Sequence, residues 1–393
     1  MLISSPPLTF YHLPHYMKDL CHLLRVSLGF SPVNDFPQLN DEQWKALKAA
    51  AVKQTVLGIA WGGIEKLPLE KQPPRRMKLQ WLADTNEIKH RNEWMDKACA
   101  AVSKKLEKVG LYSAILKGQA IAQLYPTPEY RSPGDIDALV SLCPPVMENG
   151  KLHFVQSPDI DKTVKIITQK LKSIGKGDFG KTVYHHIEWQ FSDVAIEVHL
   201  RPMQFNDPFV NMRFQQWAKS FYTDSTNTFV TPDVEFNIIF LLSHLYHHLL
   251  FEGVGLRQVC DYAVLLHAAE ERVKSEELMD KSRINKLLNE LKMQRFAAGM
   301  MWIMQTMFGL SRDALITEPD ANLGTFILDE IRQAGNFGKY DDRIDHEKLS
   351  STTGKFWVRT KHRARFLTLF PSEILWDIPF RLWHWTWRKR QSL

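Results

Sequence analysis

The chain has 393 residues, 44% of them hydrophobic and 24% charged, with a formal net charge of +6 at pH 7. This length accommodates two or three domains with a substantial core, and the balance excludes a disordered chain. The modest basic excess permits an anionic partner, such as RNA or a membrane surface, and selects none.

Four cysteines, Cys21, Cys99, Cys143 and Cys260, lie far apart. They read as reduced core residues of a cytoplasmic protein, with neither disulfide framework nor zinc spacing. No leader pattern opens the sequence and no apolar run reaches the length of a membrane span, so no transmembrane segment is expected.

In chain order, Pro6, Pro7 and Pro14 discourage an early regular element, and Met17 to Leu28 suits a short helix. Asn40 and Gln43 form a capping-box pattern before Trp44, Leu47 and Ala51, which recur at helical spacing. That helix is expected to stop near Gly58, with Trp61-Gly62-Gly63 turning the chain. Lys66 to Arg76, with three prolines, reads as a loop. From Leu79 to Val109, residues Trp81, Ile88, Met95, Val102 and Val109 recur every seven positions and place one apolar stripe on a long helix.

Gly110 closes that helix, Leu111 to Leu116 reads as a strand, and Lys117-Gly118-Gln119 turns it into a short helix ending before Pro126. A glycine turn that opens a helix exposes backbone N–H groups suited to phosphate. Gly134-Asp135-Ile136-Asp137-Ala138-Leu139-Val140 then reads as a strand with two carboxylates on one face. Two such charges about 5 Å apart repel by roughly 3 kcal/mol at an effective dielectric near 20. A divalent cation between them removes that penalty, and oxygen-only ligands suit Mg²⁺. Neutralising either carboxylate should then leave the fold intact.

After Pro144-Pro145, Glu148 to Pro158 reads as loop or short hairpin. Asp159 or Asp161 caps a helix bearing Val164, Ile167, Leu171 and Ile174, which Gly175, Gly177 and Gly180 end. Val183 to Gln190 and Val194 to Leu200 form a hairpin around Phe191-Ser192-Asp193, with Val194, Ile196 and Val198 on one face and Ala195, Glu197 and His199 on the other. Adjacent His185 and His186 are expected on opposite faces of the sheet.

Phe205 to about Leu310 reads as helix. His244, His247 and His248 share a helix face there, a spacing compatible with metal binding or with hydrogen bonding inside the core. Arg257 and Asp261 stand at i and i+4; they could form an ion pair, or Arg257 could reach a ligand. Ser282 to Phe308 continues the helical pattern, and Asn336 to Gly354 is polar loop. The tail from Phe356 mixes Trp357, Trp376, Trp383, Trp385 and Trp387 with many Lys and Arg residues. Such a tail packs on its own body under long basic side chains, or lies on an anionic surface.

Strand, K-G turn, helix, Arg131, then G-D-I-D resembles the core of the DNA polymerase β-like nucleotidyltransferase superfamily. More closely, it resembles the bacterial "uncharacterised nucleotidyltransferase" family, and I-E-V-H-L-R-P around Glu197 matches a second segment. The resemblance implies an α+β fold: a small mixed-sheet nucleotidyltransferase core at 105–205, embedded between a helical N-terminal region (1–104) and a helical C-terminal region (206–335). The basic aromatic tail (336–393) is expected to pack on this body.

The resemblance also implies a Mg²⁺- or Mn²⁺-dependent enzyme that moves a nucleoside monophosphate from an NTP to an acceptor, small molecule, protein or RNA, releasing pyrophosphate. Asp135, Asp137 and Glu197 would be the catalytic metal ligands; Lys117, Gly118, Gln119, Arg131 and Arg257 would hold the nucleotide. Gln119 departs from the serine usual after the glycine. A module that binds nucleotide without turnover, or a toxin-like enzyme modifying tRNA or protein, carries the same motifs.

Overall fold

The computed structural model describes residues 13–391 apart from 34, 175–177, 192–193, 226–227, 275–279 and 345–349. Pro6, Pro7, Gly175, Gly177 and the turn at Ser192-Asp193 therefore lie outside the described residues, as does part of the Asn336–Gly354 loop. The fold is α+β, with helices at both ends and two small sheets among the described residues.

Helices α1 (His15–Ser27) and α2 (Asp41–Lys53) open the chain. Asn40 and Gln43 complete the capping box reciprocally, which satisfies two N–H groups that a helix start leaves open. Trp61-Gly62-Gly63 does not turn the chain: it lies inside α3 (Leu57–Ile64). A Cβ on Gly62 would stand 2.5 Å from Ser27 Oγ, and one on Gly63 would stand 2.3 Å from the Leu23 carbonyl oxygen. The two glycines thus serve close contact between helices rather than a turn. The long stripe becomes α4 (Arg75–Lys108), with Trp81, Met95 and Val102 buried.

The core sheet follows: β1 (Tyr112–Leu116), α5 (Gly118–Ala122), β2 (Ile136–Ser141), β3 (Val146–Glu148), β4 (Lys151–Val155), α6 (Ile160–Ser173), β5 (Asp178–Thr182), β6 (His186–Phe191) and β7 (Val194–His199). Strands run in the order β1-β2-β7-β6-β5, with β2 and β7 parallel and the other pairs antiparallel. Strand β5 stands where Gly180 was expected to end a helix; a Cβ there would come 2.4 Å from Glu188 Oε2 across the pair.

Alternation along the strands decides which face carries the chemistry. Ile115, Ile136, Ala138, Val140, Ile196 and Val198 enter one core with α6 and the second half of α4, while Ala114, Leu116 and Leu139 face the helical body. Asp137, Glu197 and His199 share the second face. A one-residue slip would take Ile136, Val140, Ile196 and Val198 out of this core and onto the face that carries Asp137, Glu197 and His199, at up to about 1.5–3 kcal/mol each. That outweighs the roughly 3 kcal/mol repulsion between neighbouring carboxylates, so hydrophobic burial holds the acidic residues together.

The remaining elements are α7 (Pro208–Ala218), β8 (Ser220–Ser225), β9 (Val230–Pro232), α8 (Val234–Phe251), α9 (Leu256–Lys274), α10 (Lys281–Glu290), α11 (Gln294–Ile303), α12 (Ala321–Ala334), α13 (Thr352–Ala364) and α14 (Pro371–Arg390). Strands β8 and β9 correct the expectation of unbroken helix after Phe205. They build a second sheet, β3-β4-β8-β9, in which Phe154 stacks on its cross-strand partner Phe221 at 5.3 Å. Helix α8 is long and apolar enough to cross a membrane by length and composition, but 72% of it is buried inside the fold. It is a core helix lying under the polar face of the first sheet.

Candidate active site

The site begins at the parallel pair β2–β7, where Asp137 and Glu197 are direct cross-strand partners and Leu116 of β1 stands opposite Asp137 on the other side. The chain leaves β1 through Lys117, whose φ of +33° is a conformation that an L-residue rarely adopts. This strained turn brings Lys117 Nζ to 3.0 Å from Asp137 Oδ1. His199, two residues beyond Glu197, puts Nε2 3.0 Å from Asp137 Oδ1 and 3.2 Å from Glu197 Oε2. Asp137 is 1% exposed, whereas Asp135, one residue before the strand, is exposed.

These groups face a cavity of about 270 Å³ between the sheet and α8, lined by Lys117, Asp135, Glu197, His199, Glu252 and five further histidines: His185, His186, His244, His247 and His248. A larger groove, about 940 Å³, lies between β4, α7 and α14, and none of the described residues that line it is a carboxylate. Volume alone would favour the groove; the convergence of charge favours the smaller cavity.

Burial and charge pull the ionisable groups apart. Burial alone would lower the Lys117 ammonium, but Asp137, Asp135 and Glu197 hold it above the usual lysine range. Burial also opposes a charged His199, yet its hydrogen bonds to Asp137 and Glu197 lift it to about 9. Glu197 is lowered despite burial because His199 bonds to its carboxylate. Burial and neighbouring His199 press His186 down to about 3, and burial holds His185 and His244 well below the ordinary histidine value. The cavity thus sets a cationic focus at Lys117 and His199 against a neutral imidazole wall.

The profile of a family described as "Uncharacterised nucleotidyltransferase" matches residues 40–144 and 154–309, and these stretches include Lys117, both aspartates, Glu197 and α8. The chain belongs to this family. It is a nucleotidyltransferase, and enzymes of this kind generally use an NTP and a divalent metal. No curated protein matches the chain, and no solved structure does.

The nucleotidyltransferase gathers some of the residues read from the sequence and separates others. Lys117, Asp135, Asp137 and Glu197 converge. The Gln119 side chain turns away: it is buried and donates to Asn92 Oδ1 and Asp96 Oδ1 on α4. Arg131, expected on phosphate, is 3% exposed and grips Asp261 with Nε at 2.7 Å and Nη2 at 2.8 Å. Tyr125 donates its hydroxyl to the same carboxylate, and Asn92 donates to the Arg131 carbonyl. Arg257 does not pair with Asp261 through a hydrogen bond; its Nη1 donates to the Ser132 carbonyl at 3.0 Å. Arg131, Arg257 and Asp261 therefore clamp the backbone just before Asp135.

The nucleotidyltransferase also overturns the expectation that His185 and His186 point apart. His185 precedes β6, in a bend whose carbonyl accepts from the Leu200 and Arg201 N–H groups, so strand alternation does not govern it. The two rings lie 4.5 Å apart, and both stand beside His199. On α8, His248 Nε2 is 3.1 Å from His244 Nε2, while His248 Nδ1 is 2.7 Å from Glu252 Oε2. The shared helix face was visible in the sequence. Its position opposite Glu197 was not, because that depends on how α8 packs on the sheet.

Proposed function

We propose that this nucleotidyltransferase moves a nucleoside monophosphate from an NTP to an acceptor hydroxyl or phosphate and releases pyrophosphate, with divalent ions held at Asp135, Asp137 and Glu197. One observation carries the reading: Asp137 and Glu197 are paired across parallel strands on one face, with Lys117 at 3.0 Å from Asp137, and Lys117, Glu197 and Asp135 line one cavity. The residues present suit a divalent cation, since two carboxylate oxygens and an imidazole nitrogen come within 4.8 Å of one another. When bound, such an ion supplies charge that draws in phosphate oxygens and makes an acceptor hydroxyl more acidic.

The chain's own groups do the rest. Lys117 offers a cation, held charged by its carboxylate neighbours, to the triphosphate and to charge that develops on the departing pyrophosphate. Glu197, kept ionised through His199, is the base beside the acceptor. Arg131, Arg257 and Asp261 act as positioning residues by fixing the Ser132–Gly134 backbone that aims Asp135. The cavity between sheet and α8 limits water around the reacting groups.

The test is binding and transfer with each NTP. Calorimetry should show Mg²⁺ or Mn²⁺ tightening NTP binding tenfold or more, because triphosphate and carboxylates share the ion. Labelled NTP should then leave label in a protein, RNA or small-molecule fraction. Equal NTP affinity in EDTA, with no transfer of label to any fraction, overturns the reading.

A further inference from the structure

The donors at the focus of the cavity are not the oxygen-only set expected from two aspartates and a glutamate. His199 Nδ1 lies 3.2 and 3.1 Å from the carbonyl oxygens of Arg201 and Pro202. Carbonyl oxygens only accept, so Nδ1 carries the proton and donates to them. Nε2 is left facing Asp137 Oδ1 at 3.0 Å and Glu197 Oε2 at 3.2 Å. A backbone carbonyl that fixes one ring nitrogen and aims the other is the support that metal-ligating histidines have. Two ligands about 2.1 Å from one ion stand roughly 3.0–3.4 Å apart, which is the spacing of Nε2 from each of the two carboxylate oxygens.

A second group meets at the same place. One ligand atom each from His185, His186 and His199 falls within 4.8 Å of the others, as do atoms from Asp137, Glu197 and His199. His186 is the cross-strand partner of His199. Its Nδ1 is buried without a hydrogen bond and stands 3.5 Å from Glu197 Oε2. A buried donor or acceptor left open at such a point costs stability unless something else engages it.

The geometry points to a mixed nitrogen–oxygen metal site, with Asp137, Glu197 and His199 as ligands and His186 as the fourth, which takes Mn²⁺ or Zn²⁺ ahead of Mg²⁺. This rests on the reading that the cavity holds a divalent ion, and it specifies which ion and through which atoms. Imidazole suits Zn²⁺ and later transition ions and is poorly matched to Mg²⁺, which keeps to oxygen and water. Mn²⁺ accepts both donor types, so it joins the oxygen chemistry of a triphosphate to the nitrogen ligands of the protein.

The full chain, stripped of metal by chelation, is titrated by calorimetry with Mn²⁺, Zn²⁺ and Mg²⁺ separately, without nucleotide. Mn²⁺ and Zn²⁺ should each bind at least tenfold more tightly than Mg²⁺. Pulsed EPR of the Mn²⁺-loaded protein should show ¹⁴N coupling from directly bound imidazole. His199→Gln and His186→Gln should each lose part of that coupling and bring the Mn²⁺ and Mg²⁺ affinities closer together, with unchanged circular dichroism. Should a variant fail to fold, the ¹⁴N spectrum of the parent protein still decides whether nitrogen is bound. Mn²⁺ bound with no ¹⁴N coupling overturns the inference and leaves the nucleotidyl-transfer reading standing on oxygen ligands. Coupling that persists fully in both folded variants overturns the assignment to His186 and His199. Absence of divalent binding, even when NTP is added, overturns both readings.

Discussion

Asp135 and Asp137 are two residues apart, yet their surroundings differ enough to separate the effects of changing them. Asp135 is exposed, so Asp135→Asn should leave stability within about 0.5 kcal/mol. Repulsion between the two aspartates suggested that neutralising either would be harmless; for Asp137 the structure argues the reverse. Its carboxylate is buried between Lys117 and His199, and Asp137→Asn leaves two cations facing each other. Removing one partner of a buried pair costs about 3 kcal/mol or more. Denaturant midpoints of the metal-free proteins should therefore fall for Asp137→Asn and hold for Asp135→Asn, while nucleotidyl transfer from NTP drops by orders of magnitude in both. His199 adds a pH signature to the same measurement. Its folded value is raised from 6.5 to about 9, so it contributes stability that is full below pH 6.5 and is lost as pH rises through 9. The parent protein in EDTA should lose up to about 3 kcal/mol across that window, and His199→Asn should show no such loss. The D-x-D spacing made both carboxylates legible in the sequence. The bond from His199 to Asp137 was not, because it joins residues 62 positions apart.

At the scale of elements, the sequence displays what depends on local periodicity and hides what depends on partners. The capping box of α2, the stripe on α4, the K-G turn and the strand pair β6–β7 are all written locally. Strand β8 is largely polar, and it becomes a strand by pairing with β4 on one side and β9 on the other; its one sequence signal is the alternation of Phe221 and Thr223, both buried. Arg131 is the instructive case for the site. Order along the chain put it beside the carboxylates, but a buried guanidinium needs a fixed counter-charge, and α9 brings Asp261 to it. A phosphate contact and a clamp have different consequences. A residue that only touched phosphate would lose NTP affinity on substitution and keep its stability. The clamp predicts that Arg131→Met lowers stability by about 3–5 kcal/mol. Arg131→Met/Asp261→Leu should recover much of that loss, since neither charge then remains buried alone. A double-mutant cycle on denaturant midpoints reads the coupling directly; additive losses would remove Arg131 from the clamp.

For the whole molecule, the question is how the C-terminal helix relates to the body that carries the site. Helix α14 is amphipathic in an unusual sense, with apolar residues on both its docked and its exposed sides. Trp387 is buried, packs against Tyr184 and donates its indole N–H to Asp161 at 2.7 Å, on the first turn of α6. At the other end, the Glu373 carboxylate is buried and accepts the N–H groups of Asn206 and Asp207, which precede α7. Leu375, Ile378, Leu382 and Trp385 remain exposed. The helix is thus pinned near both ends, to elements belonging to the core sheet and to α7. The local mixture of tryptophan and arginine in the tail showed that the helix is adhesive, and only the fold shows where it adheres. Truncating Trp387 removes one pin without touching the active-site cavity. A Trp→Ala change at a buried position costs about 3–5 kcal/mol when the loss is shared by the whole fold. If α14 undocks by itself, the cost is instead limited to the free energy that holds it down. Trp387→Ala should therefore increase proteolytic cleavage in the segment between α13 and α14, around Leu367–Leu369, well before the midpoint of global unfolding. Metal and NTP affinities should stay within about twofold of the parent protein, a shift of roughly 0.4 kcal/mol. Cleavage that appears only together with global unfolding would show that α14 belongs to the cooperative core, and that the sheet, the cavity and the tail stand or fall as one unit.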